Sequence, residues 1–409
     1  MTEQAALSVQ CCEPMGNVGA SWAALVDRSS AHGRPFMTAP YLAYAQDGHG
    51  RVFRAECRAD SELVAGLTGW VADGKGHPYL EPSWLLRDAG FPDGPHLVVG
   101  CPGAFTGAIL MAGDQSGAGS NPASVVETVR DALLRQADTW GCRSLVALYL
   151  DSGTTSMWAG DVTPALVNFD TVIATHGGRD EWLRALPGHR RRNIEREMRQ
   201  FATAGLSADV EASAEVLREA APILVASEAR FGNTMVEAGV LHTLERQRRH
   251  FGESFVVFTA RDKRGRLVAC ATALLEPCEI NMRFCGVERE AAGTNFEYFN
   301  VCYYLPIAYA AKTGRGRVRL GMESFEAKLL RGATLEPRWA FPMVAPPRWE
   351  DSVRAANRRA LSRLSDLLVR FPHGMNPHDY ATCAALAGCG DIAVKSDPPD
   401  RDTAWRQAA

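Results

Sequence analysis

The chain has 409 residues, 46% of them hydrophobic, which is ample for a large core and long for a single domain. With 44 basic against 47 acidic side chains the formal net charge is −3, so the chain as a whole is no polyanion sponge and any nucleic-acid contact must come from a local patch. No apolar run approaches the length of a membrane span, Met1–Gly16 lacks the basic and apolar regions of a secretion signal, and the 11 cysteines are irregularly spaced without a CxxC pair. These features predict a cytoplasmic protein with reduced thiols, no membrane contact and no metal site.

In chain order, residues 1–16 read as a loose leader, Ser21–Asp27 as a short helix, and Tyr41–Tyr44 as the start of a second helix behind Pro35-Phe36. Val52–Cys57 and Leu63–Val71 alternate and are rich in β formers, as in a hairpin. A turn-rich loop follows at Gly74–Pro82, then a short strand at Leu97–Gly100 and a Gly/Ser/Asn-rich loop at Gly113–Pro122. Ala123–Trp140 has helical spacing and Leu145–Leu150 reads as a buried strand.

The same order then repeats. Helices are expected at Asp180–Phe201, Ala214–Arg230 and Ala238–Phe251. Strands follow at Ser254–Ala260, Leu267–Leu275 and Ile280–Cys285, then a helix at Tyr298–Lys312 closed by Gly314 and a strand at Arg317–Leu320. Beyond Pro342 the chain is proline-punctuated, then helical over Ser352–Phe371, with a polar, fraying end from Ser396. Helices, an antiparallel meander, a helix and a further strand, met twice, predict an α+β fold.

The most distinctive stretch opens at Leu186-Pro187-Gly188-His189 and continues through Arg190, Arg191 and Arg192 to Gly205. Arg192, Arg196 and Arg199 fall at i, i+4 and i+7, on one helical face. Guanidinium donates two parallel hydrogen bonds to an oxyanion, so this face suits phosphates; the competing reading is a solvated face laced with pairs to Glu195 and Glu197.

Three stretches resemble the FemAB-like, peptidoglycan-biosynthesis branch of the GNAT acyltransferase superfamily. They are the arginine helix, the run Phe299-Asn300-Val301-Cys302-Tyr303-Tyr304, and Gly321-Met322-Glu323-Ser324-Phe325-Glu326-Ala327-Lys328-Leu329-Leu330-Arg331-Gly332-Ala333, which is similar to that family's Gly…Glu-His-Lys-x-x-Arg-Gly segment. The chain departs from the pattern at Ala327 (for histidine), Asn300 (for glutamate) and Phe325 (for glycine).

The resemblance implies tandem GNAT-like domains, each a mixed, mostly antiparallel sheet flanked by helices. The expected division is 1–170, 171–345 with the active site, and a helical extension with tail at 346–409. It implies an N-acyltransferase that moves an aminoacyl group from aminoacyl-tRNA to an amine of a small molecule or peptide. Alternatives are an acyl-CoA donor, or a non-catalytic RNA- or partner-binding relative.

No cofactor is expected besides the donor substrate. A glycine-rich pyrophosphate loop has no good match; Gly314-Arg315-Gly316-Arg317 has the wrong spacing, which favours a tRNA donor. Glu323, Glu326 and Tyr304 are the candidate catalytic residues. Arg190, Arg191, Arg192, Arg196, Arg199, Lys328 and Arg331 are the candidate donor or phosphate ligands. Structural ion pairing is the competing reading for the four charges between 323 and 331.

Overall fold

A computed structural model describes residues 6–13, 18–29, 34–48, 50–112, 121–175, 177–230, 232–288 and 295–388. The expectations for most of the 113–122 loop and for the tail from Ser396 fall outside these residues. The strands are β1 Leu7–Cys12, β2 Val52–Ala59, β3 Glu62–Ala72, β4 His96–Val99, β5 Ile109–Met111, β6 Ser144–Leu150, β7 Ala165–Ala174, β8 Ser207–Glu211, β9 Phe255–Arg261, β10 Leu267–Leu275, β11 Glu279–Val287, β12 Arg317–Gly321 and β13 Thr334–Pro342.

All thirteen join one sheet in the order β1-β2-β3-β4-β6-β13-β7-β12-β11-β10-β9-β8, with β5 on β3. Two halves repeat one scheme: four antiparallel strands followed by a parallel step. The parallel pairs are β4 with β6 and β11 with β12. The fold is therefore the α+β, tandem GNAT-like arrangement.

The halves are joined by a reciprocal exchange. β7 follows β6 in the chain but pairs with β12, Arg317 opposite Ala174. β13 follows β12 but pairs with β6, Trp339 opposite Leu150. The two exchanged strands pair with each other from Thr334/Val172 to Ala340/Ala165. β7 thus crosses the expected boundary at residues 170 and 171. We propose that 1–170, 171–345 and 346–409 remain the units of the chain, with one strand of each half lodged in the other.

The exchange brings charge into the middle of the sheet. Asp170 of β7 accepts from Arg319 of β12 at 2.7 Å and from Arg338 of β13 at 3.0 Å. Glu336 pairs with the same two arginines at 2.8 and 3.0 Å, and Glu279 of β11 pairs with Arg319 at 3.3 Å. Asp170, Glu279, Arg319 and Arg338 are all buried. Burial alone would raise the Asp170 carboxyl, but Arg319 and Arg338 outweigh it and hold it below its ordinary range.

Helices cover the sheet. Ala20–Arg28, Ala39–Gly48, Ala214–Ala229 and Glu237–Phe251 contribute to one core shared by both halves, with Tyr44 and Phe251 rings 5.3 Å apart. Arg179–Ala185, Gly188–Thr203 and the helix from Glu297 to Lys312 build a second core over β9–β12. Pro122–Thr139 packs on β2–β6, and Trp349–Arg370 with Pro377–Leu386 packs beside β7 and β13. No helix among the described residues is long and apolar enough to cross a membrane.

Two expectations need correction. The leader contains β1, whose Leu7 to Cys12 pair along β2 from Ala59 to Arg54. The single helix expected over Asp180–Phe201 is two, parted at Leu186-Pro187 because proline disfavours a helical residue before it. Thr334–Pro342, not read as an element from the sequence, is β13, a central strand despite Pro337.

Replacing Arg319 by methionine leaves Asp170 and Glu279 buried with too little positive charge. Urea unfolding at neutral pH should show a loss of about 3–5 kcal/mol. Because the folded Asp170 carboxyl is depressed, its stabilisation is present above the unfolded carboxylate value of about 3.9 and is lost as pH falls through the folded value. The gap between wild type and variant should narrow on acidification.

Candidate functional site

The helix that starts at Glu297 widens to a π-turn over Asn300–Tyr304 before resuming at Leu305. Such turns recur at functional positions because they swing consecutive side chains onto one side. Here Tyr303 and Tyr304 both meet Arg331, whose guanidinium lies 5.1 and 5.7 Å from their ring centres and 3.5 Å from that of Phe299. Tyr304 donates its phenolic hydrogen to Glu197 and accepts from Arg331 Nε at 3.2 Å. Arg331 Nη2 closes the triangle on Glu197 at 3.0 Å. Burial raises the Tyr304 phenol despite the opposing pull of Arg331, so it stays protonated.

Glu197 belongs to the arginine helix, Gly188–Thr203, and sequence reasoning took it for a surface partner of the arginines. It instead turns inward and ties that helix to the 321–331 segment. Arg331 is consumed in this tie, and also donates to the Ala327 carbonyl at 2.9 Å.

Lys328 is equally committed. Its buried ammonium donates to the carbonyls of Leu320, Gly321 and Met322 at 3.0, 2.8 and 2.8 Å, capping the end of β12. Burial lowers its pKa to about 8. Glu326 lies at the surface and pairs with Arg370 of the Trp349–Arg370 helix.

The arginine face divides by depth. Arg190 and Arg191 are half-buried, whereas Arg192, Arg196 and Arg199 are exposed. Among the described residues no ion pair involves these last three. The local field is positive: burial first, then Arg190 and Arg192, lowers the His189 pKa, and burial with Arg370 and Arg331 disfavours the Arg190 charge.

Glu323 stands apart from the Tyr304–Arg331 triangle. It is exposed and follows directly on β12, with φ of 64°, and Ser324 after it has 51°. Two successive non-glycine residues in the left-handed region are costly, on the order of 1–3 kcal/mol each, and such strain gathers at functional sites. Tyr149, near the end of the matching strand β6, has φ of 59°. The two strained positions sense each other, because after burial the charge of Glu323 helps raise the Tyr149 phenol. Tyr149 donates to the Tyr79 carbonyl at 2.6 Å, and the Tyr79 phenol is raised by burial and by Glu323. Asn168 Nδ2 of β7 donates to Glu323 Oε1 at 3.3 Å.

More groups converge on this seam. β11 and β12 pair only from Glu279/Arg317 to Asn281/Arg319. β11 continues without β12 to Cys285, whose thiol is lowered chiefly by a hydrogen bond from Cys302, with burial opposing, and further by Tyr298 and Lys328. Glu228 acts on both Cys285 and His77. Groups at the ends of β6 and β12, in the middle of β11 and on the 77–79 turn thus feel one another's charge. Glu228, Cys285, His77, Tyr79 and Tyr149 were not singled out from the sequence as site residues, because they come from distant segments without a motif.

The helix opening at Glu297 has its own anion. Glu297 is 1% exposed and accepts from the Asn295 backbone N–H at 3.1 Å and side-chain amide at 3.3 Å. The protein's own Glu297 carboxyl therefore occupies this helix end. Separately, a groove of about 980 Å³ is lined by Asp151, Ser152, Glu336, Arg338, His378 and Asp379 among others, and holds none of the residues singled out from the sequence. No group of histidine, cysteine and acidic side chains that could hold a metal occurs among the described residues.

A FemAB-like family model, described as peptidoglycan biosynthesis/recognition, matches residues 86–366. No curated protein sequence matches the chain. Among solved structures, FemX shares 9% identity over 80% of this chain and 96% of its own, with a TM-score of 0.57. A conserved protein of unknown function from Bacteroides thetaiotaomicron shares 10% identity over 80% of this chain and 99% of its own, with a TM-score of 0.51. L-PGS from Bacillus licheniformis shares 12% identity over 79% and 91%, with a TM-score of 0.48.

Lys328→Met removes three charge-assisted hydrogen bonds from the end of β12. It should lower unfolding stability by about 3 kcal/mol, as read by urea titration.

Proposed function

The chain belongs to the FemAB-like family, and we propose that it forms an amide bond by transferring an aminoacyl group from aminoacyl-tRNA to an amine of a small molecule or peptide. A transferase of the FemAB/GNAT type follows from the family and the fold; the donor and the residue roles are our reading.

The observation that carries this reading is the placement of exposed Arg192, Arg196 and Arg199, none of them in an ion pair among the described residues, on a helix fastened, through Glu197 and Arg331, to the segment bearing Glu323. Arg192, Arg196 and Arg199 supply phosphate contacts for a polynucleotide, with Arg190 and Arg191 deepening the positive field. Lys328 and Arg331 hold the site's shape rather than the donor. An acyl-CoA donor fits less well, because the helix end after β11, where a pyrophosphate would sit, already holds the buried Glu297 carboxylate. A non-catalytic relative fits less well because strain and titratable groups are concentrated at the two strand ends.

In the proposed step the acceptor ammonium first loses a proton to Glu323. The neutral nitrogen attacks the ester carbonyl and the C–N bond forms; the nitrogen then gives up its second proton as the ester C–O bond breaks, that proton leaves with the ribose hydroxyl, and Glu323 returns its own to solvent. Tyr149 and Tyr79, kept protonated by burial and by Glu323, are hydroxyl groups near this point. Glu326, paired with Arg370 on the surface, and Tyr304, locked to Glu197, support the segment's position.

Two measurements test the proposal. Changing Arg192, Arg196 and Arg199 together to glutamine should weaken tRNA binding and reduce the slope of log affinity against log salt by about 2–3, roughly one counterion per lost phosphate contact. Glu323→Gln should lower turnover by about 10²–10⁴-fold with unchanged unfolding stability. Activity that survives ribonuclease and needs only a CoA thioester would replace the donor; a normal rate in the folded Glu323→Gln chain would remove its role.

A further inference from the structure

A connected set of aromatic side chains lies beside Tyr149 near the end of β6. His77, Trp84 and Phe105 are exposed and Tyr79 is half-buried, although large aromatic rings ordinarily pack inside. Trp84 and Phe105 are each 38% exposed. The rings form a connected set: Tyr79 lies 4.9 Å from Trp84, 5.8 Å from Phe105 and 5.6 Å from His77, and Phe105 lies 5.9 Å from the buried Tyr149. Edge-on and stacked contacts fix them against each other while leaving ring surface to solvent.

The wall stands among charges of both signs, with Arg87 opposing Glu323 at Tyr79. Glu323 acts on Tyr79 and Tyr149, and Glu228 acts on His77. Burial lowers the His77 pKa more than Glu228 raises it, which keeps the imidazole uncharged at neutral pH. The wall already attracts one cation, since the Arg87 guanidinium lies over Trp84 at 4.4 Å. Ring faces bearing negative quadrupole, with a carboxylate beside them, are complementary to an organic ammonium. Exposed rings also stack on a flat carrier, where an aliphatic chain gains less.

We propose that the wall of His77, Tyr79, Trp84 and Phe105 is the acceptor subsite, and that it takes an ammonium carried on an aromatic ring, with the ring against Trp84 and Phe105 and the nitrogen toward Glu323. This rests on the reading of Glu323 as the base that receives the acceptor's proton. It adds the chemical class of the acceptor: an arylalkylamine, or a peptide presenting its amine next to an aromatic side chain. An acceptor of this class arrives charged, is held as a cation, and is deprotonated where it is held.

The test needs no donor. Calorimetric titration of the full chain with tyramine, hexylamine and 3-(4-hydroxyphenyl)propionate separates ring from charge. Tyramine should bind about tenfold more tightly than hexylamine, which lacks the ring, and about tenfold more tightly than the propionate, which reverses the charge. Trp84→Ala combined with Phe105→Ala should erase the first preference and keep the second. Glu323→Gln should do the reverse. Both sites are exposed, so unchanged melting of the variants confirms that folding is not what is read.

Equal binding of tyramine and hexylamine, preferences that survive in the variants, or no binding of any probe overturns the acceptor class. A failed tRNA assay beside these two preferences removes the donor and leaves the acceptor subsite standing. Loss of the preferences beside an intact tRNA-dependent activity does the opposite.

Discussion

Asp170 shared between Arg319 and Arg338 is the interaction on which the rest of the molecule leans. A carboxylate in mid-sheet is tolerable only with close positive partners, and its two come from the strands on either side of β7. A one-residue slip of β12 or β13 against β7 would turn an arginine to the other face and leave Asp170 buried without its partner. The charges therefore specify register where backbone pairing and apolar contact alone would admit alternatives. That register carries outward: β12 fixed against β7 places Gly321, and Lys328 draws in the carbonyls there, so Glu323 is presented at one point.

Support and the proposed reaction chemistry are separated in space. Lys328, Arg331, Tyr304 and Glu197 spend their hydrogen bonds on each other and on backbone. Glu323 is left with one long contact to Asn168 and a strained main chain. The dense charge of the 321–331 segment thus mostly builds a mount, and one residue of it faces the other half of the protein. The arginine helix shares that mount through Glu197 and Arg331, so its exposed arginines and Glu323 are positioned by the same contacts.

The sequence showed some of this and hid the rest for physical reasons. The β9–β11 meander was legible because its apolar runs alternate with turn residues, and the arginine face because its spacing matches a helical turn. β13 was hidden: Pro337 interrupts it with no strand pattern around it, and the partners that make it a strand lie far off, Asp170 being 168 residues before Arg338. β1 looked like a leader because an edge strand buries little. Glu197 was misread because helical spacing cannot say which acid of an Arg/Glu face turns inward. The aromatic wall was not seen, since Phe105 and the Tyr149 beside it come from segments apart from the 77–84 run and only folding brings them together.

The strand exchange has a consequence for how the chain is made. On the ribosome, β6 is complete long before its neighbour exists: Trp339, opposite Leu150, is translated 189 residues later (339 − 150). At ordinary elongation rates that is a delay of about 10–40 s. During it the first half exposes the unpaired edge of a hydrophobic strand, the kind of template that recruits foreign strands. β7 waits in the same way for β12. Neither half can finish its sheet alone, so the nascent protein is obliged to pass through a long-lived, half-closed intermediate, and its yield in a cell depends on whatever shields that edge until the last central strand emerges.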